Sequence, residues 1–234
     1  VTRSLSIRLL SEVAGTGLLV GIGTGAVVAT IGFGPDRFPV LAIAWFFAVT
    51  IPVVAFASIS GAHLNPVVSL ALVADRRLPA GELPGHVGAQ VAGAFAGSGA
   101  VAALVGTGAH LGATIPSANE PVPIFGAEFA FTFLLVLTVL GLVRWGAGTG
   151  RWRLAWPGLA VAVSTLLIGP FTGSSLNPAR SLAPAVLSGS YLDLWVYFLA
   201  APLAALAAVG AARLLERSFR GSPPTVEQGR GTTR

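Results

Sequence analysis

The chain has 234 residues, of which 54% are hydrophobic and only 10% charged, and its mean hydropathy is +0.80. Soluble domains carry about 25% charged residues, so the composition excludes a soluble enzyme and describes an integral membrane protein. The pI near 11.2 does not imply a nucleic-acid partner, because all 14 basic residues are arginines and most flank apolar runs, where orientation signals belong. The 30 glycines sit within those runs, as close helix contacts in lipid require. Cysteine is absent, which excludes disulfide and thiol chemistry.

In chain order, residues 1–8 are a short polar start, and the first predicted span runs from about Leu9 to Gly32. It is too long for a signal-peptide core and no clear cleavage site follows it. Gly34-Pro35-Asp36-Arg37 makes a tight connection to a second span, about Phe38 to Ser58. Then comes Ser60-Gly61-Ala62-His63-Leu64-Asn65-Pro66-Val67. Asparagine is a favoured N-cap and proline fits the first helical position, so this stretch reads as loop, cap and helix start. The apolar run after Pro66 stops at Asp75-Arg76-Arg77. A helix of about ten residues rises about 15 Å, half of a ~30 Å hydrocarbon core. A third span covers about His86 to Val105, and residues 106–122 form the longest loop. The fourth span is about Pro123 to Val143, a basic connector runs from Arg144 to Arg153, and the fifth span is about Leu154 to Phe171. The loop then recurs as Gly173-Ser174-Ser175-Leu176-Asn177-Pro178-Ala179-Arg180, with a second half-helix that passes Pro184 and fades at Ser188. The sixth span is about Leu192 to Leu215, and residues 217–234 read as a disordered basic tail that attracts anionic membrane lipid.

Six full spans put both termini on one side. Every arginine except Arg37 and Arg180 then falls on that side, and the positive-inside rule makes it the cytoplasm. The first half-helix dips in from the cytoplasm and the second from outside, so the segments of about 9–106 and 123–215 are inverted repeats within one channel domain, residues 1–216. Glu12-x-x-x-Thr16 and Glu128-x-x-x-Thr132 mark matching places in the two halves. Inverted repeats with broken helices at the midplane are a transport architecture. The expected fold is all-α, with six transmembrane helices and two re-entrant half-helices.

A non-helical loop at membrane depth must be buried in protein or line a water-filled cavity. The two half-helix N-termini face each other at the midplane, each with roughly half a positive charge, so the centre repels cations. Asn65 and Asn177 offer amide donors to a passing oxygen, and a water held by both points its hydrogens outward, which interrupts a proton wire. Arg180 lies one turn beyond Asn177 on the same helix face and adds a positive barrier. A charge inside a span costs about 2.5–3.5 kcal/mol or more, so Arg180 is expected to be functional. Glu12 and Glu128 read as paired braces that accept loop N–H bonds, rather than as interfacial glutamates. His63 reads as a loop brace. No Cys or acidic cluster surrounds His63, His86 or His110, so neither metal nor cofactor is expected. Ser174 and Ser175 lack an evident nucleophile-activating partner, which argues against an enzyme. A coupled secondary transporter would need an ionisable group at the midplane, and no Asp or Glu lies near either asparagine in sequence.

From about residue 9 to 215 the chain closely resembles the major intrinsic protein family, the aquaporins and aquaglyceroporins. The resemblance rests on Ser60-Gly-Ala-His-Leu-Asn-Pro66 and Thr172-Gly-Ser-Ser-Leu-Asn-Pro-Ala-Arg-Ser181, with Glu12, Gln90 and Glu128 at family positions. It implies one pore per subunit, a homotetramer, passive flux of water and small neutral solutes, and no cofactor. Pro66, Val67, Pro178 and Ala179 would join the asparagines at the pore midplane. The family's constriction falls on Trp45, Thr165, Ser174 and Arg180. Trp45 resembles the glycerol-conducting branch and channels for arsenous or boric acid, and Thr165, smaller than the histidine of a strict water channel, is expected to widen the constriction and remove a donor, whereas Ser181, Ala185 and Tyr197-Phe198 resemble water channels. Val67 stands where the family usually has alanine, and its extra methyls are expected to bear on pore width. The arginine-only basic set is in keeping with a GC-rich bacterium and an inner-membrane location.

Overall fold

Ser4 accepts the N–H of Ile7 and starts helix α1, Leu5–Ala29. In the computed structural model, which describes residues 3–117, 120–146 and 150–220, the chain continues through α2 (Arg37–Phe56), the short α3 (Pro66–Ala74), α4 (Leu83–Val105) and α5 (Pro121–Trp145). It closes with α6 (Trp156–Leu167), α7 (Gly169–Thr172), the short α8 (Pro178–Ser188) and α9 (Leu194–Arg220). Five helical stretches among the described residues are long and apolar enough to cross a bilayer: α1, α2, α4, α5 and α9, with α2 and α4 each counted with a leading 3-10 turn.

The fifth expected span departs from that pattern. It is built from a 3-10 turn at Arg151–Ala155, then α6, then α7, with a break at Ile168. Pro170, in the first turn of α7, has no N–H to give the preceding turn, which removes one bond of the helical ladder at the break. The tail also differs, because α9 continues through Arg220. No Gly or Pro interrupts residues 211–220, and Gly221 is the first breaker. The rest of the expected disordered tail, 221–234, lies outside the described residues.

The two halves of the chain pack in the same way. The most extensive contacts are α1 with α4, α5 with α9, and α2 with α6. Each half-helix leans on the long helix of the other half, α3 on α9 and α8 on α4. Glycines let α1 and α4 touch backbone to backbone. A Cβ at Gly93 would collide with the Val13 carbonyl, and one at Gly97 with the Gly17 carbonyl. Large apolar side chains such as Leu10, Ile43, Leu104, Leu134 and Leu203 point outward, as a lipid-facing surface requires. At one end, ion pairs tie the elements together. Arg8 meets Glu82 at 2.6 Å, and Arg144 bridges Asp75 and Glu216. Arg213 donates to the Ala74 carbonyl at the end of α3, where the helix dipole favours a cation.

Candidate functional site

Asn65 and Asn177 each have extended backbone and cap a half-helix. The Asn65 Oδ1 accepts the Val67 N–H at 3.0 Å, and the Asn177 Oδ1 accepts those of Ala179 at 3.0 Å and Arg180 at 3.4 Å. The Nδ2 groups cross over. Asn65 donates to the Leu176 carbonyl at 2.9 Å, and Asn177 to the Leu64 carbonyl at 2.8 Å. The loop tips are thus bonded to one another at the centre of the molecule. Each amide nitrogen has two N–H groups, so these bonds use one per asparagine.

The loops need support, because Ala62, Leu64, Ser174 and Leu176 all have φ near +50°. Such non-glycine conformations cost of order 1–3 kcal/mol each and persist only where the surroundings fix them. Glu12 accepts the backbone N–H of His63 at 3.0 Å and of Leu64 at 2.7 Å. Glu128 accepts those of Ser175 and Leu176, both at 3.0 Å. Glu12 also accepts the Ser60 hydroxyl at 2.7 Å and the Gln90 amide at 2.8 Å. Both carboxylates are buried. His63 Nδ1 bonds Ser69 Oγ at 3.1 Å and its ring stacks on His86. In the second loop, Ser175 and Ser181 make the corresponding contact at 2.5 Å.

A cavity of about 510 Å³ runs beside these loops. Trp45, Ser174 and Arg180 line one part of it, Leu64, Asn65, Leu176 and Asn177 the middle, and Arg8, Arg77 and Arg153 the end with the ion pairs. The Arg180 guanidinium carbon sits 4.7 Å from the centre of the Trp45 ring, a cation–π contact of about 0.5–2 kcal/mol. Its Nη1 donates to the Gly112 carbonyl at 2.9 Å, while its buried Nε has no partner among the described residues. That carbonyl is delivered by the outer loop. Ala109, His110 and Leu111 turn left-handed there, and Gly112 follows at φ +66° where a Cβ would press on the Thr24 backbone.

Several expected wall positions lie elsewhere. Thr165 is not on the cavity wall, and its hydroxyl donates to the Val161 carbonyl of its own helix at 2.9 Å. The helix phase instead directs its neighbour Ser164 to the Ser174 hydroxyl at 2.7 Å. Val67 is also off the wall. It is 2% exposed and packs with Val136, Leu140 and Ala201, while Val68, rotated by one residue, lines the cavity. Ala179 packs among Leu19, Val20, Ala94 and Ala183, and Pro66 and Pro178 start their helices behind the asparagines. Ser69 and Ser164 carried no sequence signal, being lone serines within apolar runs. The Gly112 carbonyl carried none because every residue type has one.

Comparison with known proteins agrees with this geometry. A family model described as "Major intrinsic protein" matches residues 2–212. Aquaporin NIP1-1 of Zea mays is 35% identical over 210 residues, which are 89% of this chain and 74% of that protein. Nodulin-26 of Glycine max is 33% identical over 202 residues, 86% of this chain and 74% of that protein. Among solved structures, the aquaglyceroporin from Plasmodium falciparum superposes with a TM-score of 0.84 at 24% identity, covering 92% of this chain and 98% of that one. That last likeness concerns the fold alone.

Proposed function

The chain belongs to the major intrinsic protein family and is a channel for water and small uncharged solutes, and from that premise we propose that glycerol-sized polyols pass its constriction together with water. One observation carries this reading: Trp45 and Arg180 stack at 4.7 Å with Ser174 beside them on the wall. A polyol has a hydrocarbon edge and a hydroxyl edge. The indole suits the first, and the guanidinium and serine donors suit the second. The Thr165 hydroxyl is bonded within α6 to the Val161 carbonyl, so it offers no donor to the solute there.

The remaining Asn65 and Asn177 N–H groups and the two half-helix N-termini hold a permeating oxygen while repelling cations and protons. Arsenous and boric acids, small neutral hydroxy-solutes, are a second reading supported by the same donors. The termini are assigned to the cytoplasm of a bacterial inner membrane, a reading supported by the arginines gathered at one end. A homotetramer is supported by the family resemblance.

Stopped-flow light scattering on proteoliposomes tests the reading. Fast shrinkage in an impermeant osmolyte, followed by fast re-swelling in glycerol, is the expected result. Re-swelling in arsenous acid but not glycerol moves the assignment to the second reading, and shrinkage without re-swelling in either refutes both.

A further inference from the structure

The Trp45 indole is set into a recess on α1 that exists only because residue 23 is glycine. A Cβ built at Gly23 would overlap Cε3, Cζ3 and Cη2, three consecutive atoms of the six-membered ring. Among the described residues no other Phe, Tyr or Trp lines the cavity. Trp45 itself is 5% exposed. One face of its ring lies under the Arg180 guanidinium, and Leu19, Leu41 and Val49 share its cluster. The remaining space beside the ring is the cavity it lines.

The same face of α1 repeats the arrangement two turns earlier. A Cβ at Gly15 would meet the Leu64 side chain closely, and Leu64 also lines the cavity. Leu19, between the two glycines, is on the wall as well. The helix therefore presents glycine, leucine, glycine at positions 15, 19 and 23, and each glycine receives a pore-lining side chain from another element.

We propose that Gly23 is a positioning residue for solute selectivity, holding the Trp45 indole back in α1 so that the constriction admits solutes larger than water. The inference rests on the reading of Trp45 as constriction wall. A side chain at residue 23 must displace the ring, because an indole is rigid and protein interiors are close-packed. Helix α1 has little room to retreat, since its backbone at Gly17 already touches Gly97 of α4. The ring then turns toward the channel and Arg180.

The test is permeability of proteoliposomes to water and glycerol for the wild type, Gly23→Ala, Trp45→Phe and the double variant. Gly25→Ala serves as the control on the same helix, because a Cβ there would lie 3.7 Å from Val101 Cγ2, an ordinary contact. Gly23→Ala should lower glycerol permeability about tenfold, the scale of one misplaced methyl-sized group in a tight pocket, with a smaller fall for water. Gly25→Ala should keep the wild-type ratio. In the Trp45→Phe background, whose shorter ring leaves the recess vacant, the alanine at 23 should no longer change the ratio. An unchanged ratio in Gly23→Ala overturns the inference. So does an equal fall in the Trp45→Phe background, which would mean that the methyl acts through helix contacts. If the wild type passes water alone, the glycerol reading fails and takes with it the size role of Gly23, whereas a glycerol-passing wild type with an unchanged Gly23→Ala ratio overturns the inference alone.

Discussion

Removing the Glu12 carboxylate is expected to cost more than removing its counterpart Glu128. Glu12→Ala strips an acceptor from the backbone N–H groups of His63 and Leu64, the Ser60 hydroxyl and the Gln90 amide. Glu128→Ala strips the backbone N–H groups of Ser175 and Leu176 and removes a negative charge near Thr172 and the buried Arg180. Each buried donor left unpaired costs about 1–3 kcal/mol, so the first substitution, with four such donors, costs about 4–12 kcal/mol on that scale. Folded domains are stable by only about 5–15 kcal/mol, which puts Glu12→Ala at the edge of folding. Thermal unfolding in detergent, read as the monodisperse fraction by size exclusion after heating, checks the order. The midpoint should fall further for Glu12→Ala than for Glu128→Ala. Glu12→Gln should lie between wild type and Glu12→Ala, because it keeps one acceptor oxygen but turns an NH2 group against a backbone donor. Equal losses for the two alanine variants would refute the assignment of Glu12 as the more heavily used brace.

Three further outcomes follow from the geometry. Arg180→Ala should raise glycerol permeability and proton leak, the latter read with a pH-sensitive dye inside liposomes, because it removes both the charge on the wall and the contact with Gly112; unchanged proton leak would count against the charge barrier. Thr165→Val should leave the glycerol-to-water ratio within about twofold of wild type, a difference under half a kcal/mol in barrier, since its hydroxyl is spent on Val161; a larger change would put residue 165 back on the wall. Gly97→Ala should destabilise the protein by about 1–3 kcal/mol or more, because the added Cβ meets the Gly17 backbone, whereas Gly99→Ala, with nothing within 4 Å, should stabilise by up to about 1 kcal/mol. Thermal melts that reverse this order would refute the account of the α1–α4 contact.

What could be read from the sequence follows the cost of each feature in lipid. Polar caps and a charged arginine are expensive inside apolar runs, so Asn65, Asn177 and Arg180 stand out against their surroundings, and the arginine distribution marks the ends of spans. Helix phase is harder to see. Counting back from Asn177 reaches Thr165, but the break at Ile168–Gly169 alters the turn that follows, and Ser164 makes the contact with Ser174. Gly169-Pro170 was the visible signal for that break, masked by the unbroken hydrophobicity around it. Val67 shows the same limit. Its place beside Pro66 suggests the pore, yet one residue of rotation turns it toward α5 and α9. Contacts made by backbone atoms, such as Gly112 with Arg180, leave no trace in residue type.

The arrangement of carboxylates separates a channel from a coupled transporter. Coupling to a proton typically uses an acidic group that faces the pathway and alternately binds and releases it. Glu12 and Glu128 lie close to the asparagines in space, which their positions in sequence conceal. Neither is on the cavity wall, where among the described residues there is no Asp or Glu. Both are committed to loop N–H groups, and a proton or cation that took either carboxylate would compete with the bonds that hold the left-handed loop residues in place. His63, which does reach the wall, is bonded to Ser69 and stacked on His86. The ionised groups that line the cavity are arginines, at Arg180 and at the end with Arg8, Arg77 and Arg153. Fixed positive charge on the wall disfavours a driving cation, in keeping with the channel family to which the chain belongs.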